Sequence, residues 1–190
     1  MARESLREEI VEAALDQFHA HGFNAAGVKG ITDAAGAPKG SFYNHFDSKE
    51  ALAIVALQRY GAGRRLQDLA DKGVEPLVRL RAHFEFLRGE DAQRGFTRGC
   101  LIGNFGTEII DHSDAIRAAV RQSLQQWATL IAATLTEAQQ AGAVRAHLDP
   151  DKTARFILNA WEGTLIQARA DQSNDAFDAF FDSVFDTLLS

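Results

Sequence analysis

The chain has 190 residues and a formal net charge of −6, with 46% hydrophobic and 24% charged residues, the balance of an ordinary globular protein of one large or two small domains. An acidic chain of this kind does not coat nucleic acid or anionic membrane indiscriminately, although a compact, locally shaped DNA-binding surface stays open to it. The single cysteine, Cys100, excludes an internal disulfide framework and any cysteine-rich zinc site, and it suits a reducing cytoplasm.

Proline is scarce at three residues, so long helices meet few breakers. Apolar spacing reads as helix nearly everywhere. The N-terminus, MARESLREEIVEAA, is charged throughout and lacks the apolar core of a signal peptide. Leu6, Ile10, Ala14 and Phe18 recur every four residues up to Gly22, a residue suited to the position just past a helix end. Two short units follow, VKGITDAA from Val28 and KGSFYNHF to Phe46, parted by Gly36, Ala37 and Pro38. Asp47 or Ser48 caps a helix expected from Lys49 to about Ala70, with Gly61 and Gly63 weakening its middle.

A further helix is expected from Glu75 to Arg88, then a loop from Gly89 to Gly99, then a short apolar helix from Cys100 to Ile110. Asp114 caps the longest helix, on which Ile116, Val120, Leu124, Trp127, Ile131 and Leu135 keep helical spacing until about Gly142. From Asp151 to Asp171 the apolar residues Phe156, Ile157, Leu158, Trp161, Leu165 and Ile166 cover more than one stripe, the pattern of a helix buried on two sides. The last helix sets Phe177, Phe180, Phe181, Val184, Phe185 and Leu188 against a face of aspartates. No stretch is long and apolar enough to cross a bilayer. The expectation is an all-α chain of about nine helices, with a three-helix head over residues 1–47 and a helical body over 48–190.

The informative segment is GVKGITDAAGAPKGSFYNHFDSKE, from Gly27 to Glu50. Two short helices joined by a glycine turn are the pattern of a helix-turn-helix. Ile31 and Ala35 pack the first helix inward, Gly36 makes the sharp turn, and Pro38 starts the second helix, where its missing N–H costs little. Phe42 and Phe46 share the inner face. Lys39, Gly40, Ser41, Tyr43, Asn44 and His45 are left outside, and their side chains are rich in donors for phosphates and base edges. Lys49 opens the next helix, where a phosphate meets both its charge and open backbone N–H groups. Residues 1–50 carry five cations against eight acids, yet the lysines Lys29, Lys39 and Lys49 fall within the motif.

The run GVKGITDAAGAPKGSFYNHFDSKEAL resembles the DNA-binding signature of the tetracycline-repressor (TetR/AcrR) family over about 45 residues. The resemblance implies a cytoplasmic homodimer that represses transcription from double-stranded, palindromic operator DNA and lets go when a small molecule enters the C-terminal body. It implies recognition roles for Lys39, Ser41, Tyr43, Asn44 and His45 and a phosphate-anchoring role for Lys49. One departure is Gly27, where many members carry a threonine that contacts phosphate; the amides around Val28 and Lys29 are the available replacement.

A second run, GFTRGCLIGNFGTEI from Gly95, resembles a subgroup with a GCLxGN-type segment whose effectors include reactive electrophiles and small unsaturated acids. Cys100 follows Arg98 and Gly99 at an expected helix N-terminus, which favours a thiolate; the alternative is a small core residue. Asn104 and Glu108 follow on about the same face as polar groups for a pocket, with Phe84, Phe105, Trp127 and Trp161 as candidate walls. The last two helices carry more apolar surface than a monomer of this size needs. In the family they form an intermolecular four-helix bundle, which implies contacts among Phe156, Leu158, Leu165, Phe177, Phe180, Phe181 and Phe185; the alternative packs the last helix on its own body.

No phosphate-binding glycine loop, HExxH or GxSxG element is present, and His83, His112 and His147 have no evident ligand partners. The chain is therefore read as neither an enzyme nor a metal or cofactor protein. Two alternatives stand beside the electrophile-responsive repressor: a regulator of the same fold that senses a bulky hydrophobic drug-like ligand, and a helical adaptor that binds no DNA.

Overall fold

The computed structural model describes residues 2–190, with side chains from Leu6 onward. Met1 and the side chains of Arg3 and Glu4, which entered the charge balance, lie outside the described residues. Among those residues the chain forms eight α-helices, two 3-10 helices and a terminal π-helical stretch, with no strand. In order these are α1 (Ala2–Ala25), α2 (Val28–Ala34), a 3-10 helix (Lys39–Asn44), α3 (Lys49–Ala62), a 3-10 helix (Leu66–Ala70), α4 (Pro76–Gln93), α5 (Leu101–Glu108), α6 (Asp114–Gln140), α7 (Pro150–Asp171) and α8 (Asp175–Phe181), which runs on into the π-helical Asp182–Leu188.

Local chemistry sets the ends. Gly22 takes φ 80° and kinks α1, a conformation cheap only for glycine. Ser48 accepts the Ala51 N–H and caps α3, and Asp149 accepts the Lys152 N–H and caps α7. Ser113 Oγ, rather than Asp114, accepts the Ile116 N–H at the start of α6. The helix expected to reach Ala70 stops at Ala62 because Gly63 ends it and Arg65 turns into the left-handed region at φ 54°. Conversely, α4 runs through the expected loop to Gln93 and stops before Gly95 and Phe96, both at positive φ.

The chain divides into two compact units whose limits differ from residues 1–47 and 48–190. The first holds the chain up to Gly63 together with Cys100–Ser123; the second holds Arg64–Gly99 and Leu124–Ser190. Thus α5 belongs with the helix-turn-helix. The core of the first unit is Ile10, Val11, Ala14 and Phe18 of α1, Ile31 of α2, Leu52, Ala56 and Leu57 of α3, and Leu101, Ile102 and Phe105 of α5. Phe18, Phe23 and Phe105 form an aromatic triad with centroids 5.6 to 5.9 Å apart, a geometry that adds to the burial of each ring.

The second unit is built around Trp161. Its ring lies 4.9 Å from Phe84, 5.1 Å from Phe180 and 5.3 Å from Phe177. Phe177, Phe180 and Phe181 are buried in their own chain, as are Leu158 and Leu165. This corrects the expectation that these five meet a partner subunit: the aromatic face of α8 fills its own unit. Phe185 is half-buried and stacks on Phe181 at 5.7 Å, with the Arg81 guanidinium above both rings. Of the expected interface residues only Phe156 stays largely exposed, at 59%, joined on α7 by Ile166 at 68%. Within the chain, α7 is therefore buried on one side only.

Candidate functional site

The helix-turn-helix is built from inside outward. Gly36 turns at φ 64°, and Ala37 sends its N–H back to the Thr32 carbonyl. Thr32 is fully buried, with its hydroxyl on the Val28 and Lys29 carbonyls. The second helix of the motif is a 3-10 helix rather than an α-helix. Ser41 N–H reaches Pro38 O and His45 N–H reaches Phe42 O, both with three-residue closure. Phe42 and Phe46 are buried with centroids 5.7 Å apart, which pins this short element from below.

That pinning leaves Lys39, Gly40, Tyr43 and Asn44 exposed and His45 half-exposed. Tyr43 is 64% exposed and stands edge-on to Phe42 at 5.0 Å. A large ring held open on a short, donor-bearing element is suited to a surface contact and adds nothing to the core. Ser41 differs from the expectation: its hydroxyl donates to Pro38 O at 2.6 Å and stabilises the turn. Lys29 is exposed but pairs with Asp33 one turn on, at 2.5 Å, and this carboxylate holds its ammonium charged above the usual lysine range. Gly27 opens α2 with no side-chain cap.

Two expected roles are revised by α5. Lys49 is half-buried; its Nζ donates to Phe23 O at 2.9 Å and lies 4.2 Å from the centre of the Phe23 ring. Burial lowers its pKa, and the nearby Glu108 carboxylate opposes that shift. Lys49 therefore braces the end of α1, which competes with the phosphate contact assigned to it. Glu108, expected as a polar group of a pocket, holds the end of α1. Its carboxylate accepts the Phe23 N–H at 2.8 Å and the Asn24 N–H at 2.7 Å, amides left open by the kink at Gly22. Phe105 is fully buried in the aromatic triad. Cys100 is the N-cap residue of α5 and is 5% exposed, and Asn104 is half-buried one turn later.

The other expected effector residues, Phe84, Trp127 and Trp161, lie in the second unit and are at most 2% exposed. Of the seven, Cys100, Asn104, Phe105 and Glu108 fold in the first unit and Phe84, Trp127 and Trp161 in the second. The second unit instead holds a polar arrangement that apolar spacing does not reveal. Trp127 Nε1 donates to His83 Nε2 at 3.0 Å in the core. Burial pushes the His83 pKa down to about 4, an effect the Asp68 charge partly offsets, so the ring is neutral at pH 7. Arg79, one turn earlier on α4, is also buried. It donates to the Asp71 and Val74 carbonyls at 3.0 Å each and to Glu137. No cluster of three or more His, Cys, Asp or Glu suited to a metal occurs among the described residues, and none of their helices is long and apolar enough to cross a membrane.

A short helix displayed on a buried aromatic pair after a tight glycine turn is the head of a helix-turn-helix DNA-binding regulator. Comparison with known proteins agrees. Residues 10–56 match the model of bacterial regulatory proteins, tetR family, and residues 76–184 that of the tetracyclin repressor-like C-terminal domain. The chain is 35% identical to the HTH-type transcriptional repressor DhaR of Mycobacterium sp. (strain GP1), across all of this chain and 95% of that one. It is 34% identical to the transcriptional regulator AcuR of Cereibacter sphaeroides, covering 91% of this chain and 80% of that one. A crystal structure of a regulatory protein TetR from Rhodobacter sphaeroides superposes with a TM-score of 0.85 at 33% identity, covering 92% of this chain and 94% of that one. The chain belongs to the TetR family. It is a transcriptional regulator and not an enzyme; regulators of this family bind operator DNA and small-molecule effectors and work as dimers.

Proposed function

We propose that this protein is a ligand-responsive transcriptional repressor that binds a palindromic operator as a homodimer and leaves it when a small molecule binds. The observation that carries the reading is the recognition surface: Lys39, Gly40, Tyr43 and Asn44 exposed above the buried Phe42 and Phe46. Tyr43 and Asn44 contact base edges, and Lys39 contacts phosphate. Two such surfaces in a dimer read two half-sites about one helical turn apart. The exposed Phe156 and Ile166 on α7 supply the apolar part of the dimer contact, in place of the buried phenylalanines of α8. The likeness of GCLIGN to the segment of electrophile- and unsaturated-acid-responsive regulators supports an effector of that class. Cys100 at the start of α5 is the residue an electrophile would modify.

A gel shift on duplex DNA from the region upstream of its own gene tests the reading. The wild-type chain retards the fragment in the presence of excess unrelated DNA, and Tyr43→Ala needs at least tenfold more protein for the same shift while leaving the dimer intact. An unchanged shift contradicts the recognition assignment. Cys100→Ser keeps DNA binding and loses release by a thiol-reactive compound; release equal to wild type reduces Cys100 to packing.

A further inference from the structure

The peptide unit joining Phe23 to Asn24 is gripped at both ends by side chains of opposite charge. Its carbonyl oxygen accepts from Lys49 Nζ at 2.9 Å, and its N–H, that of Asn24, donates to Glu108 Oε1 at 2.7 Å. The other oxygen of the same carboxylate accepts the Phe23 N–H at 2.8 Å. The side chain of Phe23 is held between the same two elements. Lys49 Nζ lies 4.2 Å from the centre of its ring, and Phe105, three residues before Glu108 on α5, meets it edge-on at 5.9 Å. Gly22 leaves the space in which the carboxylate lies, since a Cβ there would stand 2.6 Å from Glu108 Oε2. All of these residues fold in the first unit.

The chemistry makes these contacts one joint. An ammonium on the carbonyl oxygen polarises the peptide group and makes its N–H a better donor; a carboxylate on that N–H makes the oxygen a better acceptor. Both bonds are charge-assisted and strong for that reason. The Glu108 charge also favours the ammonium form of Lys49 against the burial that opposes it. Loss of either side chain therefore weakens the hold of the other.

The joint lies at the base of the DNA-reading surface. Phe23 and Asn24 stand at the end of α1, just before α2 begins at Val28. Lys49 is the first residue of α3, and only residues 45–48 separate it from the recognition element Lys39–Asn44. Within that stretch Phe46 is buried. Glu108 thus reaches the chain on both sides of the recognition element without belonging to it. We infer that Glu108 is a positioning residue for DNA recognition: through the Phe23–Asn24 peptide and Lys49 it fixes the recognition element to the end of α5. The consequence for DNA rests on the regulatory reading above; the coupling of Glu108 to Lys49 does not.

The test uses the full chain. Hydrogen exchange of the Asn24 amide is followed by NMR without DNA in wild type, Glu108→Gln, Lys49→Met and the double variant. Gln keeps the shape of Glu108 but sets an NH2 group against one of the two N–H groups. Met keeps a stem over Phe23 and removes the ammonium. Glu108→Gln speeds Asn24 exchange at least tenfold. Lys49→Met, which removes no bond to that N–H, speeds it at least threefold, yet adds less than twofold in the Glu108→Gln background. Unchanged exchange in either single variant, or effects that multiply in the double variant, would overturn the joint. Should Glu108→Gln fail to fold, Glu108→Asp keeps the charge, shortens the reach and takes its place in the same cycle.

Fluorescence anisotropy on the upstream duplex reads the DNA role, at a temperature where melts show every variant folded. Glu108→Gln binds at least fivefold more weakly than wild type. Lys49→Met weakens binding in the wild-type background and by less than twofold in the Glu108→Gln background. A role in stability alone leaves folded Glu108→Gln with wild-type affinity, and that result would overturn the positioning role. If the wild type itself fails to bind, the regulatory reading is contradicted together with the DNA consequence, and the exchange cycle still judges the joint.

Discussion

At the residue scale, the positions that matter most are held by contacts far away in sequence. Gly22 has φ 80°, and a Cβ there would lie 2.6 Å from the Glu108 carboxylate oxygen. Gly22→Ala therefore suffers both a disfavoured backbone and a displaced cap. It should lose about 2–4 kcal/mol in urea unfolding, combining positive-φ strain with displacement of the Glu108 carboxylate from the Phe23 and Asn24 N–H groups; a loss below the usual surface-substitution scatter would contradict the geometry. His83 makes the stability of the fold depend on pH. The unfolded ring takes a proton near pH 6.5 and the folded ring only near 4, so the unfolded state binds more protons between these values. This contribution, of order 3 kcal/mol, is complete above pH 6.5 and is lost as the pH falls toward 4. Thermal melts of the wild type should drop over that window more steeply than those of His83→Gln, and parallel curves would refute the buried neutral histidine. Neither Glu108 nor His83 was legible in a functional sense from sequence. Their partners stand 84 to 85 and 44 residues away, and no local pattern reports a contact at that separation.

At the element scale, helix boundaries marked by local chemistry were readable. Ser48, Gly36 and Pro38 act where their residue types suggest, because capping and turn conformations depend on a few neighbouring atoms. The 3-10 character of Lys39–Asn44 was not readable, since α and 3-10 turns share nearly the same apolar spacing over six residues. Nor was the partner of the aromatic face of α8: periodicity shows that Phe177, Phe180 and Phe181 face something apolar, and only packing shows that it is their own unit. The roles of Lys49 and Tyr43 separate here. Lys49→Ala removes a hydrogen bond and a cation–π contact to Phe23, so it should lower stability by about 1–2 kcal/mol as well as weaken DNA retention. Tyr43→Ala, at an exposed ring, should alter DNA retention alone. Chemical denaturation of both variants beside the gel shift checks the distinction. A destabilised Tyr43→Ala or an unaffected Lys49→Ala would reverse it.

At the scale of the whole molecule, the all-helical class and the helix-turn-helix were legible because both arise from spacing and turn residues. The division into units was not, because α5 joins the head through Phe105 and Glu108, contacts that skip the whole of α4. The dimer prediction changes accordingly. Phe156→Glu with Ile166→Glu, both exposed on α7, should halve the mass in sedimentation while the helical signal is kept. Phe177→Ala should instead cost about 3–5 kcal/mol of core stability. A dimer that survives the double glutamate change would place the contact elsewhere.

The acidic total of −6 is compatible with DNA binding because Glu8 and Glu12 on α1 are paired with Arg59 of α3. The exposed recognition element carries Lys39 and no acid. The most direct test is fluorescence anisotropy of a labelled duplex from the region upstream of the gene, titrated with wild type and Tyr43→Ala in the same salt. The account predicts saturable wild-type binding that resists unrelated competitor DNA, and at least tenfold weaker binding by Tyr43→Ala with an unchanged melting midpoint. Equal affinity of the two proteins, or wild-type binding abolished by the competitor, would contradict it.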